Sequence, residues 1–188
     1  MTQVPSKIFA AAQRGDATAR HELYRVRAAA VFGTCRRYAA TEADAEDLAQ
    51  DTWVKAFGKL DTCSDGQAFP AWLHRITVNT CLMALRADKV RAHRALADSV
   101  DRLSELLPAP LQVSPEALAQ LATADIVAYI RALPDGFREV FNLVAVEGYT
   151  HAEAADMLGI SATTSRSQLT RARRNLRERL AHFATLCL

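Results

Sequence analysis

The sequence has 188 residues, half of them hydrophobic, which is enough to fill one large core or two small ones and excludes wholesale disorder. No run of about 18 apolar residues is present, so we expect no membrane-spanning helix. The first residues also lack the apolar stretch of a secretory signal, which predicts a cytoplasmic protein.

The net charge of +2 hides two oppositely charged segments. Residues 41–52 hold five acidic side chains and no basic one, whereas residues 161–181 hold six arginines against Glu178 alone. An acidic face and a basic helix on one chain indicate two different partners. The basic helix is the natural candidate for a phosphate backbone.

The helical elements of the first half can be taken in chain order, because no strand-like alternation persists. A first helical region is predicted over 6–39, broken at Gly15-Asp16, where Asp16 can cap the second helix. Another helix begins near Thr41, and a polar loop over 61–67 ends it. The apolar side of that helix is predicted to hold Ala45, Leu48, Ala49, Thr52, Trp53, Ala56 and Phe57. A third helix over 69–86 is predicted to bury Phe69, Trp72, Leu73, Ile76, Thr80 and Met83.

The second half begins after a segment with two prolines, which favour an extended backbone. We predict two small all-α domains over 1–96 and 114–188, joined by a flexible linker over 97–113. Ser114-Pro115 starts a helix that continues to Leu133, and Pro134-Asp135 starts the next, which ends at Glu147-Gly148.

The most specific local pattern lies in residues 149–180. Thr150 and Glu153 form a capping box, Gly159 supplies a tight turn, Ile160 fills the angle between two helices, and Ser161 caps a long basic helix. This order is typical of a helix-turn-helix, whose second helix lies in the major groove. A basic helix alone would equally fit a solvated surface, and a helix-turn-helix alone indicates only a transcription regulator.

The cysteines indicate no metal site, cofactor site or disulfide framework, because they stand far apart with no CxxC pair and no histidine at ligand spacing. Cys35 and Cys81 fall inside helical patterns and are predicted to be small core residues. Cys63, in a polar stretch, is the one candidate for a reactive thiol. No prediction is made for Cys187.

Three segments carry a family resemblance: GDATARHELYRV, DAEDLAQDTWVKAF and FPAWLHRITVNTCLMALR. Their order and spacing resemble the promoter-binding domain of extracytoplasmic-function sigma factors of RNA polymerase. The segment from LPDGFREVF to RARRNLRERL is similar to that family's second domain. The resemblance implies a protein without catalytic activity that takes core RNA polymerase to promoter DNA and helps to open it.

The resemblance also implies site residues. The helix after Thr41 would bind the clamp coiled coil of the largest polymerase subunit through Asp47, Gln50, Asp51 and Val54. The loop over 62–68 and the following helix would read the minus-ten region and hold an unstacked base. Asn79 is the preferred contact for that base, because an amide offers both a donor and an acceptor. His74 and Arg75 would lie near the strand, and Phe69 and Trp72 are assigned to the core.

In the basic helix, the positions matching the family's minus-thirty-five contacts are Arg166, Ser167, Thr170, Arg171 and Arg173. The sequence departs from the family at Thr163, where Gly is usual, at Ser165, where Val is usual, and at Gln168, where Arg is usual. Ser165 predicts looser helix packing, and Gln168 predicts an altered base preference.

Two other functions remain open from the sequence. A helix-turn-helix regulator that binds an operator without joining polymerase would explain residues 149–180 but not the first half. An enzyme is a distant third, since no phosphate loop, ligand cluster or nucleophile–base motif is visible. Factors of the resembled family are commonly held by an anti-sigma protein, which is the further partner that the resemblance implies.

Overall fold

The computed structural model describes residues 4–96 and 123–186, and every regular element in those ranges is helical. The chain divides into two compact units, residues 1–91 and 92–188. The predicted all-α fold is confirmed, whereas the domain limits at 96 and 113 stay a prediction, and the linker and the helix start at Ser114-Pro115 lie outside the described residues. None of the described helices is both long and apolar enough to cross a membrane.

The first unit contains four helices, and its local signals set where they begin and end. They are α1 (Ser6–Gln13), α2 (Ala17–Tyr38), α3 (Glu42–Gly58) and α4 (Phe69–Leu96), with a short 3₁₀ turn over Leu60–Thr62. The break at Gly15-Asp16 is confirmed, and the Asp16 carboxylate accepts a hydrogen bond from the Ala19 amide at 2.7 Å. The predicted helix start near Thr41 is confirmed, and Thr41 caps α3 in a capping box completed by Asp44.

The core of the first unit joins all four helices. Its largest fully buried side chains include Tyr38, Leu23, Phe69, Leu60 and Leu73. Gln13 donates side-chain hydrogen bonds to the carbonyls of Leu60 (3.1 Å) and Cys63 (3.0 Å), which fastens α1 to the turn that follows α3.

The buried face of α4 differs from the predicted one. Met83 was assigned to the core but is 62% exposed, and the helix continues to Leu96 instead of ending at 86. After Phe69 the buried positions centre on Cys81 and are Leu73, Thr77, Val78, Thr80, Cys81, Leu82 and Leu85. At 3.6 residues per turn Met83 lies roughly opposite that centre, so the apolar pattern alone placed the face wrongly by part of a turn.

In residues 123–186 the second unit contains α5 (Thr123–Arg131), α6 (Asp135–Val140), a π-helical continuation over Phe141–Val146, α7 (His151–Leu158) and α8 (Ala162–Leu186). The start at Pro134-Asp135 is confirmed. Its buried apolar residues are Ile130, Leu133, Val140, Leu143, Ala154, Ala155, Leu169 and Ala172. The small buried residues Ala154 and Ala155 on α7 allow another helix to approach closely.

Candidate protein-binding and nucleic-acid surfaces

The acidic face of α3 points to solvent. Asp47, Gln50, Asp51 and Val54 are all exposed, Val54 by 74%. Their spacing of i, i+3, i+4 and i+7 places them on one side of the helix. The opposite side holds Ala45, Thr52, Trp53 and Ala56, all buried. The structure therefore brings the four predicted polymerase-binding residues together on one surface, which we call the α3 face.

An apolar groove borders the α3 face, and the sequence did not predict it. The groove has a volume of about 630 Å³ between α2 and α3, and its lining includes Tyr24, Phe32, Trp53, Gln50 and Val54. The rings of Tyr24 and Trp53 lie with their centroids 5.1 Å apart, and Tyr24 stays 44% exposed. The place of Tyr24 and Phe32 in a groove depends on the pairing of α2 with α3, which no local sequence pattern of either helix gives.

A second cavity is lined by one of the three predicted minus-ten residues, His74, and not by Arg75 or Asn79. It measures about 580 Å³ between α2 and α4, and its lining includes Arg27, Thr34, Gly66, Gln67, His74 and Thr77. We call it the α2–α4 cavity. The loop predicted to hold a base does supply Gly66 and Gln67, and His74 lies in the wall.

Asn79 does not line the α2–α4 cavity, contrary to the prediction that it acts with the loop on one base. It is exposed, as is Arg75, whereas His74 is half-buried. Five residues along a helix turn the side chain by about 140°, so His74 and Asn79 face different sides of α4. The assignment of Phe69 to the core is confirmed, and Trp72 is half-buried with its ring centroid 6.0 Å from that of Phe69.

The helix-turn-helix is built as the sequence predicted. The Thr150 hydroxyl accepts from the Glu153 amide at 3.2 Å, and Glu153 accepts from the Thr150 amide at 2.8 Å. The Thr150 amide and hydroxyl both donate hydrogen bonds to the Glu153 carboxylate, and these bonds hold the pKa of Glu153 below its ordinary value. Gly159 adopts the left-handed conformation with φ 68°, and the Ile160 amide donates back to the Ala155 carbonyl at 3.1 Å. Ser161 caps α8 by accepting from the Thr164 amide at 3.0 Å.

The predicted minus-thirty-five residues lie on the outward side of α8. Arg166, Ser167, Thr170, Arg171 and Arg173 are all exposed. The inward side holds Ser165, Leu169 and Ala172, all buried. The exposed arc is thus rich in guanidinium groups, which suit both phosphates and guanine edges.

Two departures from the family pattern face inward. Ser165 is fully buried, and its hydroxyl lies 2.9 Å from Nδ1 of His151 on α7. Looser packing was expected here because serine lacks the methyl groups of valine. A hydrogen bond between Ser165 and His151 stands in place of those methyl contacts. Gln168 is half-buried against α6, where a Cβ added to Gly136 would come 3.1 Å from its amide nitrogen. Gln168 thus acts in packing between α6 and α8, and the prediction that it directly alters base preference does not fit its position.

The thiols of the first unit are all buried. Cys35 and Cys81 are fully buried, which confirms their assignment to the core. Cys63 is only 2% exposed, and burial raises the pKa of its thiol. The raised pKa keeps this thiol neutral, so the structure does not favour the reactive thiol predicted at Cys63, because the thiolate is the nucleophile. Within 4–96 and 123–186, no group of three or more His, Cys, Asp and Glu side chains could hold a metal ion.

The first unit carries an exposed acidic helix face and the second a basic helix-turn-helix, which is typical of DNA-binding transcription proteins. Comparison with known proteins names the family. The family model of sigma-70 region 2 matches residues 23–91, and that of sigma-70 region 4 matches residues 123–176.

Among relatives, the ECF RNA polymerase sigma factor SigE of Mycolicibacterium smegmatis is 35% identical over 87% of this chain, and the chain spans 62% of that relative's length. The RNA polymerase sigma factor NccH of Alcaligenes xylosoxydans xylosoxydans is 31% identical over 88% of each chain. The chain therefore belongs to the sigma-70 family, in its extracytoplasmic-function (ECF) group.

A solved structure shares the fold. It shows the sigma factor RpoE of Bartonella quintana in complex with the anti-sigma factor NepR. RpoE is 24% identical to this chain, with a TM-score of 0.53 over 84% of this chain and 94% of the other.

Proposed function

We propose that this chain binds core RNA polymerase, directs it to specific promoters and helps to open the duplex, without catalysing a reaction. The observation that carries the proposal is the α3 face, which is exposed and acidic and lies on the domain that matches sigma-70 region 2. The same chain also has an exposed basic recognition helix, α8. A regulator acting at an operator alone needs only the recognition helix. The α3 face gives the first unit a binding task of its own.

Polymerase binding is assigned to Asp47, Gln50, Asp51 and Val54, against the clamp coiled coil of the largest subunit. Their acidic charge favours a basic partner surface and steers its approach. The double variant Asp47→Lys/Asp51→Lys should lose association with core enzyme in a pull-down and keep its helical content. Asp61→Lys, a charge reversal at an exposed acid outside α3, is the matched control and should bind normally. Undiminished binding of the double variant would refute the assignment.

Strand opening is assigned to the α2–α4 cavity together with α4. A base that leaves the duplex must exchange stacking for a protein pocket, and the cavity beside the 62–68 loop supplies one. We assign His74 to the base in the cavity, Asn79 to the strand along the outer side of α4, and Arg75 to a nearby phosphate. Both His74→Ala and Asn79→Ala should keep polymerase binding and lose open complex on duplex promoters.

Permanganate footprinting on duplex and pre-melted templates tests this assignment. A pre-melted bubble should restore transcription by both variants, because the opening cost of a few kcal/mol is already met. Normal thymine reactivity on the duplex with Asn79→Ala would show that Asn79 is an ordinary surface residue. The same result with His74→Ala would show that the cavity receives no base.

Promoter recognition at the minus-thirty-five element is assigned to Arg166, Ser167, Thr170, Arg171 and Arg173. Arg171→Ala should cost about 1–3 kcal/mol and relax specificity at one base pair if the side chain reads a base. A pure phosphate contact would instead weaken binding to every sequence and flatten the salt slope. Binding to a minus-thirty-five fragment, measured over a range of salt, separates the two. An unchanged affinity with either Arg171→Ala or Arg173→Ala would show that the recognition surface lies elsewhere.

We also propose an anti-sigma partner that covers the groove between α2 and α3. An exposed aromatic groove beside a polymerase-binding face suits an amphipathic helix. Because Val54 lines the groove and belongs to the α3 face, Val54→Glu should weaken binding of the anti-sigma partner and of core polymerase together. Loss of polymerase binding alone would place the anti-sigma partner on another surface.

A further inference from the structure

Two buried thiols from distant parts of the sequence face one another inside the first unit. Cys35 on α2 and Cys81 on α4 are both fully buried, and their sulfurs lie 3.9 Å apart although 46 residues separate them. The Cys81 thiol donates a hydrogen bond to the Cys35 sulfur. Nothing in the proposed function uses either residue.

We propose that Cys35 and Cys81 are a reversible modification site, which a peroxide oxidises to a disulfide that joins α2 to α4. The sulfurs must close from 3.9 Å to a bond length of about 2.05 Å. Rotation about the two side-chain bonds supplies part of that movement, and a small approach of the helices supplies the rest.

The surroundings of the pair favour Cys35 as the attacking thiol. The hydrogen bond from Cys81 lowers the pKa of Cys35, burial opposes this, and further lowering comes from a hydrogen bond with Thr52 and from the charge of Arg37. A thiolate is the reactive form toward peroxides, and a second thiol in contact is what a resolving cysteine must provide. Cys63, whose pKa is raised, lacks both features.

The reaction balances with hydrogen peroxide as the oxidant. The Cys35 thiolate attacks one peroxide oxygen, the O–O bond breaks, and the departing hydroxide takes a proton to leave as water. Cys35 is then a sulfenic acid. The Cys81 sulfur attacks the Cys35 sulfur, the S–O bond breaks, and a second water leaves with the Cys81 proton. Two thiols have lost two electrons to the peroxide, and a dithiol reductant reverses the change.

The position of the pair predicts what oxidation does, a step that depends on the proposed function. The α2–α4 cavity is lined by Thr34, which precedes Cys35, and by Thr77, which lies one turn before Cys81. A bond that draws α2 and α4 together next to these residues narrows the cavity. The disulfide form should therefore bind polymerase and fail to open promoters.

Peptide mapping of the full-length chain tests the modification. The folded protein is exposed to hydrogen peroxide, its remaining thiols are alkylated, and its peptides are analysed by mass spectrometry with and without dithiothreitol. We expect one intramolecular Cys35–Cys81 link that dithiothreitol removes, with Cys63 still alkylated. In Cys81→Ser, Cys35 should stop at the sulfenic acid and react with dimedone. Should that variant not fold, the wild-type map decides alone. Cys35 and Cys81 both alkylated after peroxide, or linked only when the chain is treated in urea, would overturn the proposal.

A second measurement separates the modification from its consequence. Pre-oxidised chain, freed of peroxide, is added to core polymerase on a duplex promoter, beside reduced chain and the unresponsive Cys35→Ser/Cys81→Ser variant. If only the oxidised wild-type chain fails to form open complex, the result supports control of promoter opening by the disulfide. Equal opening by oxidised and reduced chain overturns that control. If the reduced chain also fails to open the promoter, the proposed function is wrong, while the peptide map still decides the modification.

Discussion

Replacing Gly159 with alanine tests whether backbone conformation sets the helix-turn-helix geometry. Gly159 has φ 68° and ψ 35°, and an added Cβ would meet nothing within 4 Å. The substitution therefore causes no clash, and its effect is conformational. An L-residue in the left-handed region costs about 1–2 kcal/mol, which changes the ratio of folded to unfolded molecules by about 5- to 30-fold. Gly159→Asn should cost less, because asparagine tolerates this region.

Amide hydrogen exchange reports the two units of the chain separately. Gly159→Ala should speed exchange of the slowest amides in α7 and α8 by about 5- to 30-fold and leave α2 unchanged. Gly33 is the matched control, since its Cβ would also meet nothing within 4 Å but it lies inside α2. Gly33→Ala should stabilise the first unit by about 0.5–1 kcal/mol. Equal exchange in Gly159→Ala and Gly159→Asn would refute the conformational explanation.

Two further predictions concern pH and oxidation. Because the capping box lowers the folded pKa of Glu153, its stabilisation is present above the ordinary glutamate pKa and lost as the pH falls through the lowered value. Glu153→Gln should remove this part of the acid dependence of α7 exchange, and an unchanged pH profile would contradict the assignment. The Cys35–Cys81 disulfide closes a loop between residues 46 positions apart, for which chain entropy predicts roughly 4 kcal/mol of added stability in the first unit. A higher urea midpoint for the oxidised chain than for the reduced one checks this, and equal midpoints would show that strain cancels the entropy.

Features encoded by neighbouring residues could be predicted from the sequence. The caps at Asp16, Thr41 and Thr150 each depend on a side chain that reaches an amide three residues away. The turn at Gly159 likewise follows from the conformational freedom of one residue. The exposed side of α3 followed from helical periodicity, because its acidic residues lie away from the buried Ala45, Thr52, Trp53 and Ala56.

Features that depend on contacts between helices could not be predicted in the same way. Met83 is apolar yet exposed, since the buried side of α4 is set by which helices cover it. Cys63 lies among polar residues, but its backbone carbonyl is held by Gln13 from α1, and the thiol is buried there. The inward position of Gln168 depends on Gly136, thirty-two residues earlier, whose missing side chain leaves the space.

In the first unit, buried polar and sulfur-containing side chains lie between the α3 face, proposed to bind polymerase, and the α2–α4 cavity, proposed to receive a base. Thr52 lies on the buried side of α3, next in sequence to Asp51, and contributes to the lowered pKa of Cys35 on α2. Lys55 reaches from α3 to the hydroxyl of Thr80 on α4 at 3.5 Å, next to Cys81. Because the Trp53 ring on α3 also lies 5.1 Å from the Tyr24 ring on α2, the helix that presents the proposed polymerase-binding face contacts both helices that wall the α2–α4 cavity. A change in the distance between α2 and α4 acts on the cavity directly, whereas Asp47 and Asp51 lie on the exposed side of α3 and outside the cavity lining. Oxidation of the thiol pair should for that reason affect promoter opening more than polymerase binding.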